Sequence, residues 1–144
     1  MKFRLDIGDM TDEFFSETRL LGIMASLKNY QFCWRLNSLL GYNFRLKTDV
    51  DIQLRKKSRA YIFSLYHHTE PNSFLTHYLY DNQIDGEYLI PEFKHMDYLW
   101  LMKGDCVDDD NCAGIASSIK SIAGVQLVTE LTNEKIKLKE RMIF

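Results

Sequence analysis

The side chains able to do chemistry fall into a few groups, and their spacing decides what each can do. Cys106 and Cys112 have five residues between them, wider than the two to four of common zinc knuckles. His67 and His68 are adjacent, so on a strand they face opposite sides and cannot easily serve one ion. Asp105, Asp108, Asp109 and Asp110 resemble a calcium loop in composition, but the central glycine and the closing glutamate are missing. Acids there suit a helix N-terminus, where the backbone dipole favours negative charge. The chain has no Gly-x-Ser-x-Gly elbow, no cysteine-nucleophile signature and no glycine-rich phosphate loop. No metal, cofactor or catalytic residue is therefore implied. Nothing in the spacing of the acids selects a glycosidase-type pair.

A basic run is the clearest polar feature. Arg45, Lys47, Arg55, Lys56, Lys57 and Arg59 fall within fifteen residues, and the neighbouring strands carry Phe44, Tyr61, Phe63, Tyr66, Tyr78 and Tyr80. Cations beside exposed aromatics on a sheet can track and stack a single-stranded nucleic acid. The alternative is a charged hairpin turn, centred on Arg55, Lys56 and Lys57, that guards a sheet edge while the aromatics enter the core. The whole chain carries 18 basic and 20 acidic residues, a formal charge of −2, without the basic excess of a dedicated nucleic-acid binder.

The elements that position these groups read as α+β. Lys2–Ile7 alternates with a period of two, as a strand does. Leu20–Met24 reads as a buried strand or the start of a helix. Leu27–Leu40 has helical spacing, with Ser26 as N-cap, Gly41 as C-cap, and Tyr30, Cys33, Trp34, Leu36 and Leu39 as its core stripe. Strands follow at Asn43–Val50, Ala60–His67 and Phe74–Tyr80, with turns at Glu70–Ser73 and Asp85-Gly86, suggesting an antiparallel meander. The last third reads as strand Tyr98–Met102, a helix carrying Ile115, Ile119 and Ile122, and strand Val125–Val128. The tail ends in a docked segment. No repeat or linker splits residues 1–144, so a single domain is expected.

The string Ile90-Pro91-Glu92-Phe93-Lys94-His95-Met96-Asp97-Tyr98 resembles the signature of the bacterial IPExxxVDY family, with Met96 in place of valine. That resemblance implies a bacterial cytoplasmic protein of this length, and it carries no assigned active site. Pro91 keeps Ile90 extended and removes one donor, which suits a strand end. Glu92 and Asp97 flank the connection into the apolar strand that begins at Tyr98. One reading has their carboxylates accepting backbone N–H groups and pinning the turn. The other makes Pro91, Glu92, Asp97 and Tyr98 a binding edge, or the two acids an acid–base pair.

With 46% hydrophobic and 13% aromatic residues but only two Pro and seven Gly, the chain can build an ordinary core. It has no apolar run of membrane-spanning length and no signal-peptide-like start. Three cysteines in such a chain suggest free thiols. The expectation is a soluble cytoplasmic protein. Its leading role is non-enzymatic, as an interaction or accessory protein that binds a protein partner or itself through a sheet edge. A single-stranded RNA-binding module over residues 44–66 is one alternative. The other is a small-molecule-sensing regulatory domain built on Asp97–Val128.

Overall fold

The structure is a computed structural model and describes residues 7–132 and 136–144. In chain order the elements are α1 (Ile7–Phe14), β1 (Arg19–Ala25), α2 (Asn29–Leu40), β2 (Arg45–Leu46), β3 (Ile52–Lys56), β4 (Arg59–Phe63), β5 (Leu65–Thr69), β6 (Thr76–Asp81), β7 (Gln83–Ile84), β8 (Glu87–Tyr88), β9 (Tyr98–Lys103), α3 (Asp109–Lys120) and β10 (Val125–Leu131). Short 3-10 turns occupy Pro91–Phe93 and Lys139–Met142.

The sequence of β9 dictates the architecture. Its first five residues, Tyr98 to Met102, are all buried. An antiparallel strand with one wet face would alternate, so continuous burial demands cover on both faces. Burying each large apolar side chain contributes on the order of 1.5–3 kcal/mol. The six-stranded sheet supplies this environment, with order β10-β1-β9-β6-β5-β2 and every pairing antiparallel. On one face α2, α3 and the turn after α3 bring Phe32, Leu36, Ile119 and Ile122 against Leu21, Leu79, Trp100 and Met102. On the other, the β3–β4 hairpin, the Leu89–Ile90 segment and the C-terminal residues bring Ile52, Phe63, Ile90 and Met142 against Leu20, Leu65, Tyr80 and Leu101. β9 and β10 both run antiparallel to β1, which lies between them. They are therefore parallel to each other, with α3 as the crossover, a split strand–helix–strand unit.

This is the expected α+β fold, with differences of detail. Of the strand expected at Lys2–Ile7, only Ile7 lies within the described residues, and it opens α1. α2 starts at Asn29, not Leu27, because the Tyr98 hydroxyl donates to the Leu27 carbonyl. Lys28 takes the N-cap place, its N–H donating to Gln31 Oε1 at 3.1 Å, while the Ser26 hydroxyl accepts from Gln126. The core stripe of α2 is also narrower than expected. Phe32, Cys33 and Leu36 are buried, while Tyr30, Trp34 and Leu39 are 62%, 68% and 63% exposed. Trp34 is about 200° around the helix from Phe32, so only one of them can face the sheet. Asn43–Val50 pairs only at Arg45–Leu46. Ala60–His67 breaks at Ser64, where the chain leaves the β3–β4 hairpin for the main sheet. Asp108 caps α3 as expected, accepting from the Asn111 N–H at 2.7 Å. Cys33, Cys106 and Cys112 are free thiols. No helix among the described residues is long and apolar enough to cross a membrane.

The helix-side core contains a polar relay. Trp100 Nε1–H donates to His77 Nδ1 at 2.9 Å, and His77 Nε2 lies 2.9 Å from Glu70 Oε1. An indole nitrogen can only donate, so Nδ1 is unprotonated and Nε2–H donates to Glu70. His77 is fully buried, and desolvation lowers its pKa below the ordinary 6.5 despite Glu70. A lowered histidine pKa leaves the fold at full strength above 6.5. Stability is lost as pH falls below that value, because the unfolded chain takes up the proton first. His77→Phe strands the Trp100 N–H and is expected to cost about 1–3 kcal/mol at about pH 7.5. Urea titrations should show that deficit shrinking toward about pH 5, as the native relay weakens.

Candidate functional site

Period-two alternation along β6 puts His77, Leu79 and Asp81 on the helix-facing side of the sheet, with Tyr80 on the other. Asp81 ends the strand opposite Tyr98, and its N–H donates to the Ser64 carbonyl at 3.0 Å. Its side chain meets the start of α2. The Tyr30 N–H donates to Asn29 Oδ1 at 2.7 Å, which fixes the amide orientation and turns Nδ2 toward Asp81 Oδ2, 2.9 Å away.

The next residue, Asn82, organises the distinctive string. Its buried amide donates to the carbonyls of Phe93 (3.0 Å) and Met96 (2.9 Å) and accepts from the Ile90 N–H (2.8 Å). Its backbone N–H donates to the Asp97 carbonyl, and its carbonyl accepts from the Leu89 N–H. Residues Ile90 to Asp97 are thus wound around one side chain. Pro91 opens the 3-10 turn with Ile90 extended at φ −118°, ψ 94°. Glu92 accepts from the Lys137 N–H at 2.6 Å, tying the string to the C-terminal segment. Asp97 accepts from the Ala25 N–H at 2.9 Å, at the end of β1. Each carboxylate holds a different backbone donor, so Glu92 and Asp97 do not form a pair. Met96 passes over Gly22, where a Cβ would come within 3.0 Å of its side chain.

The elements so stitched together leave a cleft of about 580 Å³. The β1–α2 link, Ala25 to Tyr30, forms one wall. Ser64, Asp81, Asp97 and Tyr98 form the floor, and Gln83 to Asp85 form the opposite lip. Of the four string residues singled out from the sequence, Asp97 and Tyr98 line this cleft, while Pro91 and Glu92 do not.

Asp81 is the chemically exceptional group. It is only 9% exposed, and its Oδ1 is buried with no hydrogen-bond partner. Among the described residues, no Lys, Arg or His nitrogen lies within 4.0 Å of its carboxylate. Burial raises its pKa from 3.8 to about 6, and the Asn29 hydrogen bond offsets part of that rise. Cys33 is also in the field of Asp81, and burial pushes its thiol up to about 12, leaving it inert as a nucleophile. Sequence reading missed Asp81. Its signal was the period of two, which places an acid on the same face as the core residue Leu79.

Arg55, Lys56 and Lys57 sit at the end of the β3–β4 hairpin, which turns through Lys57 and Ser58 at φ 52° and 64°. Lys56 pairs with Glu87 at 3.2 Å, and Arg59 pairs with Asp85 at 2.6 Å while lying over the Tyr61 ring. Phe44, Phe63 and Tyr80 are core residues with no face open to a base. Among the described residues no group of three or more His, Cys, Asp or Glu could hold a metal ion.

Comparison with known protein families and with curated proteins finds no match to this chain.

A raised carboxylate pKa stabilises the fold below the unfolded value of 3.8, and that contribution is lost as pH rises through about 6. Asp81→Asn keeps the shape and removes the charge. The variant should match the native protein below about pH 4 and exceed it by about 1–3 kcal/mol above about pH 7. Chemical denaturation at the two pH values checks this. Destabilisation at the higher pH would show that the charge is held by contacts the cleft does not display.

Proposed function

We propose that the protein is a binding domain for a small polar ligand, which it takes into the Asp81 cleft. The observation that carries this reading is the buried, unpartnered Oδ1 of Asp81. Burying a carboxylate without a counterion costs stability, and the neutral Asn29 amide on Oδ2 does not balance the charge. Groups that weaken a fold without a structural return concentrate at functional sites. The cleft lies at the start of β9, the first strand of the strand–helix–strand unit, which supports the ligand-sensing alternative drawn from the sequence. The resemblance of the Ile90–Tyr98 string to the IPExxxVDY signature fits the same reading, because Asp97 and Tyr98 of that string line the cleft.

The test is a thermal-shift screen of small polar metabolites on the native chain and on Asp81→Ala. A ligand present at 100 times its Kd stabilises by about 2.7 kcal/mol. At least one compound should raise the melting temperature of the native chain and leave Asp81→Ala unmoved. A library that moves neither protein, or moves both equally, overturns the proposal.

One observation favours the interaction role as a second reading. Tyr30 and Trp34 stand exposed one turn apart on α2, and Tyr30 also forms the rim of the cleft. Exposed aromatics of this kind anchor interfaces. The sheet-edge route has less support, because Lys120 Nζ occupies the Gln126 carbonyl on edge strand β10. On this reading the chain self-associates through α2, and Trp34→Glu makes it monomeric in light scattering. A native chain that is already monomeric contradicts it.

A further inference from the structure

Resting on the ligand-binding reading, we infer that the Asp81 cleft holds its ligand through a protonated nitrogen, an ammonium or guanidinium group. An anion such as phosphate would seek the N–H groups at the start of α2 and in the link before it. Three of those donors are taken by side chains of the protein. The Ala25 N–H goes to Asp97, the Lys28 N–H to Gln31, and the Tyr30 N–H to Asn29. The Asn29 amide donates to Asp81, and the Tyr98 hydroxyl donates to the Leu27 carbonyl. With these donors capped and the Asp81 and Asp97 carboxylates beside them, the helix start is a poor seat for a negative charge.

What remains in the floor is an acceptor. Asp81 lines the cleft, and its Oδ1, buried just beneath the cleft surface, has lone pairs with no protein donor, in a place where water screens charge poorly. A neutral amide or hydroxyl ligand would satisfy the oxygen but leave the charge uncompensated. An ammonium or guanidinium does both, and charge-assisted hydrogen bonds are roughly twice as strong as neutral ones. The other carboxylates of the cleft add to the negative field, although Asp85 is paired with Arg59 and Lys28 lies on the wall. Neither cation lies within 4.0 Å of the Asp81 carboxylate.

Proton linkage supplies a signature that steric fit alone would not. A cation binds the ionised form of Asp81, whose pKa is raised to about 6. Affinity should therefore rise about tenfold from about pH 5 to about pH 7.5 and then level off. The experiment is an amide-resolved NMR titration of the full chain with four probes of similar size: methylammonium, methylguanidinium, acetamide and acetate. The two cations should shift the amides of Asn29, Asp81, Asn82 and Tyr98. They should do so with the tenfold pH dependence, and Asp81→Asn should abolish the response. If acetamide or acetate shifts these amides at lower concentration than either cation, the ligand class is wrong while the cleft remains a binding site. If cations bind without the pH dependence, or bind Asp81→Asn equally well, Asp81 is not their receptor and the inference fails. If no probe of any charge moves these residues, the inference and the binding reading beneath it both fall.

Discussion

Asn82 lies fully buried where β6 ends, and every hydrogen-bonding group it owns is engaged. That satisfied amide is the constraint on which the rest of the site depends. It gathers the Ile90 N–H and the Phe93 and Met96 carbonyls to one point, so the string between Leu89 and Tyr98 has a single path. That path delivers Asp97 to the end of β1 and Tyr98 to the carbonyl of Leu27. Buried polar networks specify one geometry when every member is satisfied, and this one is. Its neighbour Asp81 is the counterexample, with one oxygen held by Asn29 and the other unmet. Two adjacent polar residues, on the same strand end, thus do opposite jobs. One fixes the floor of a cleft, and the other leaves an uncompensated carboxylate beside it.

The surrounding architecture explains why an acid can be held there at all. β9 is buried on both faces, so the sheet needs a helical layer on one side and a hairpin with the chain end on the other. The link from β1 into α2 must then turn over the start of β9 to reach the helical layer. The space beneath that turn is the cleft. The Tyr98 hydroxyl at the Leu27 carbonyl sets where the helix can begin, and so sets Asn29 at hydrogen-bonding distance from Asp81. The Trp100–His77–Glu70 relay holds the far half of the same face with all of its partners matched.

Much of the fold was legible in the residues. The Tyr98–Met102 run, the acidic cap before α3, Gly41 after α2 and the Asp85-Gly86 turn each carry a local mechanism, and each stands where its mechanism puts it. What the sequence concealed is tertiary. Tyr30 and Trp34 have the spacing of a core stripe, but a helix on a sheet buries one narrow strip, and Phe32 with Leu36 took it. Ser26 has the chemistry of a cap but is drawn away to Gln126. Attention to Pro91, Glu92, Asp97 and Tyr98 found the string but not its hub, because Asn82 lies eight residues upstream of Ile90 in a stretch that reads as an ordinary strand end. Asp81 was hidden for the same reason. Only the alternation along β6 marks it as facing inward.

The central claim is that one carboxylate is kept dry and uncompensated at the floor of a cleft. Carbon-detected NMR of the aspartate carboxyl groups, followed across a pH titration, reads that group directly. The account predicts that the Asp81 resonance titrates near 6, well above an ordinary aspartate near 3.9. A midpoint at or below about 4 would mean that water or a cation already satisfies Oδ1, and the cleft would lose its claim to function.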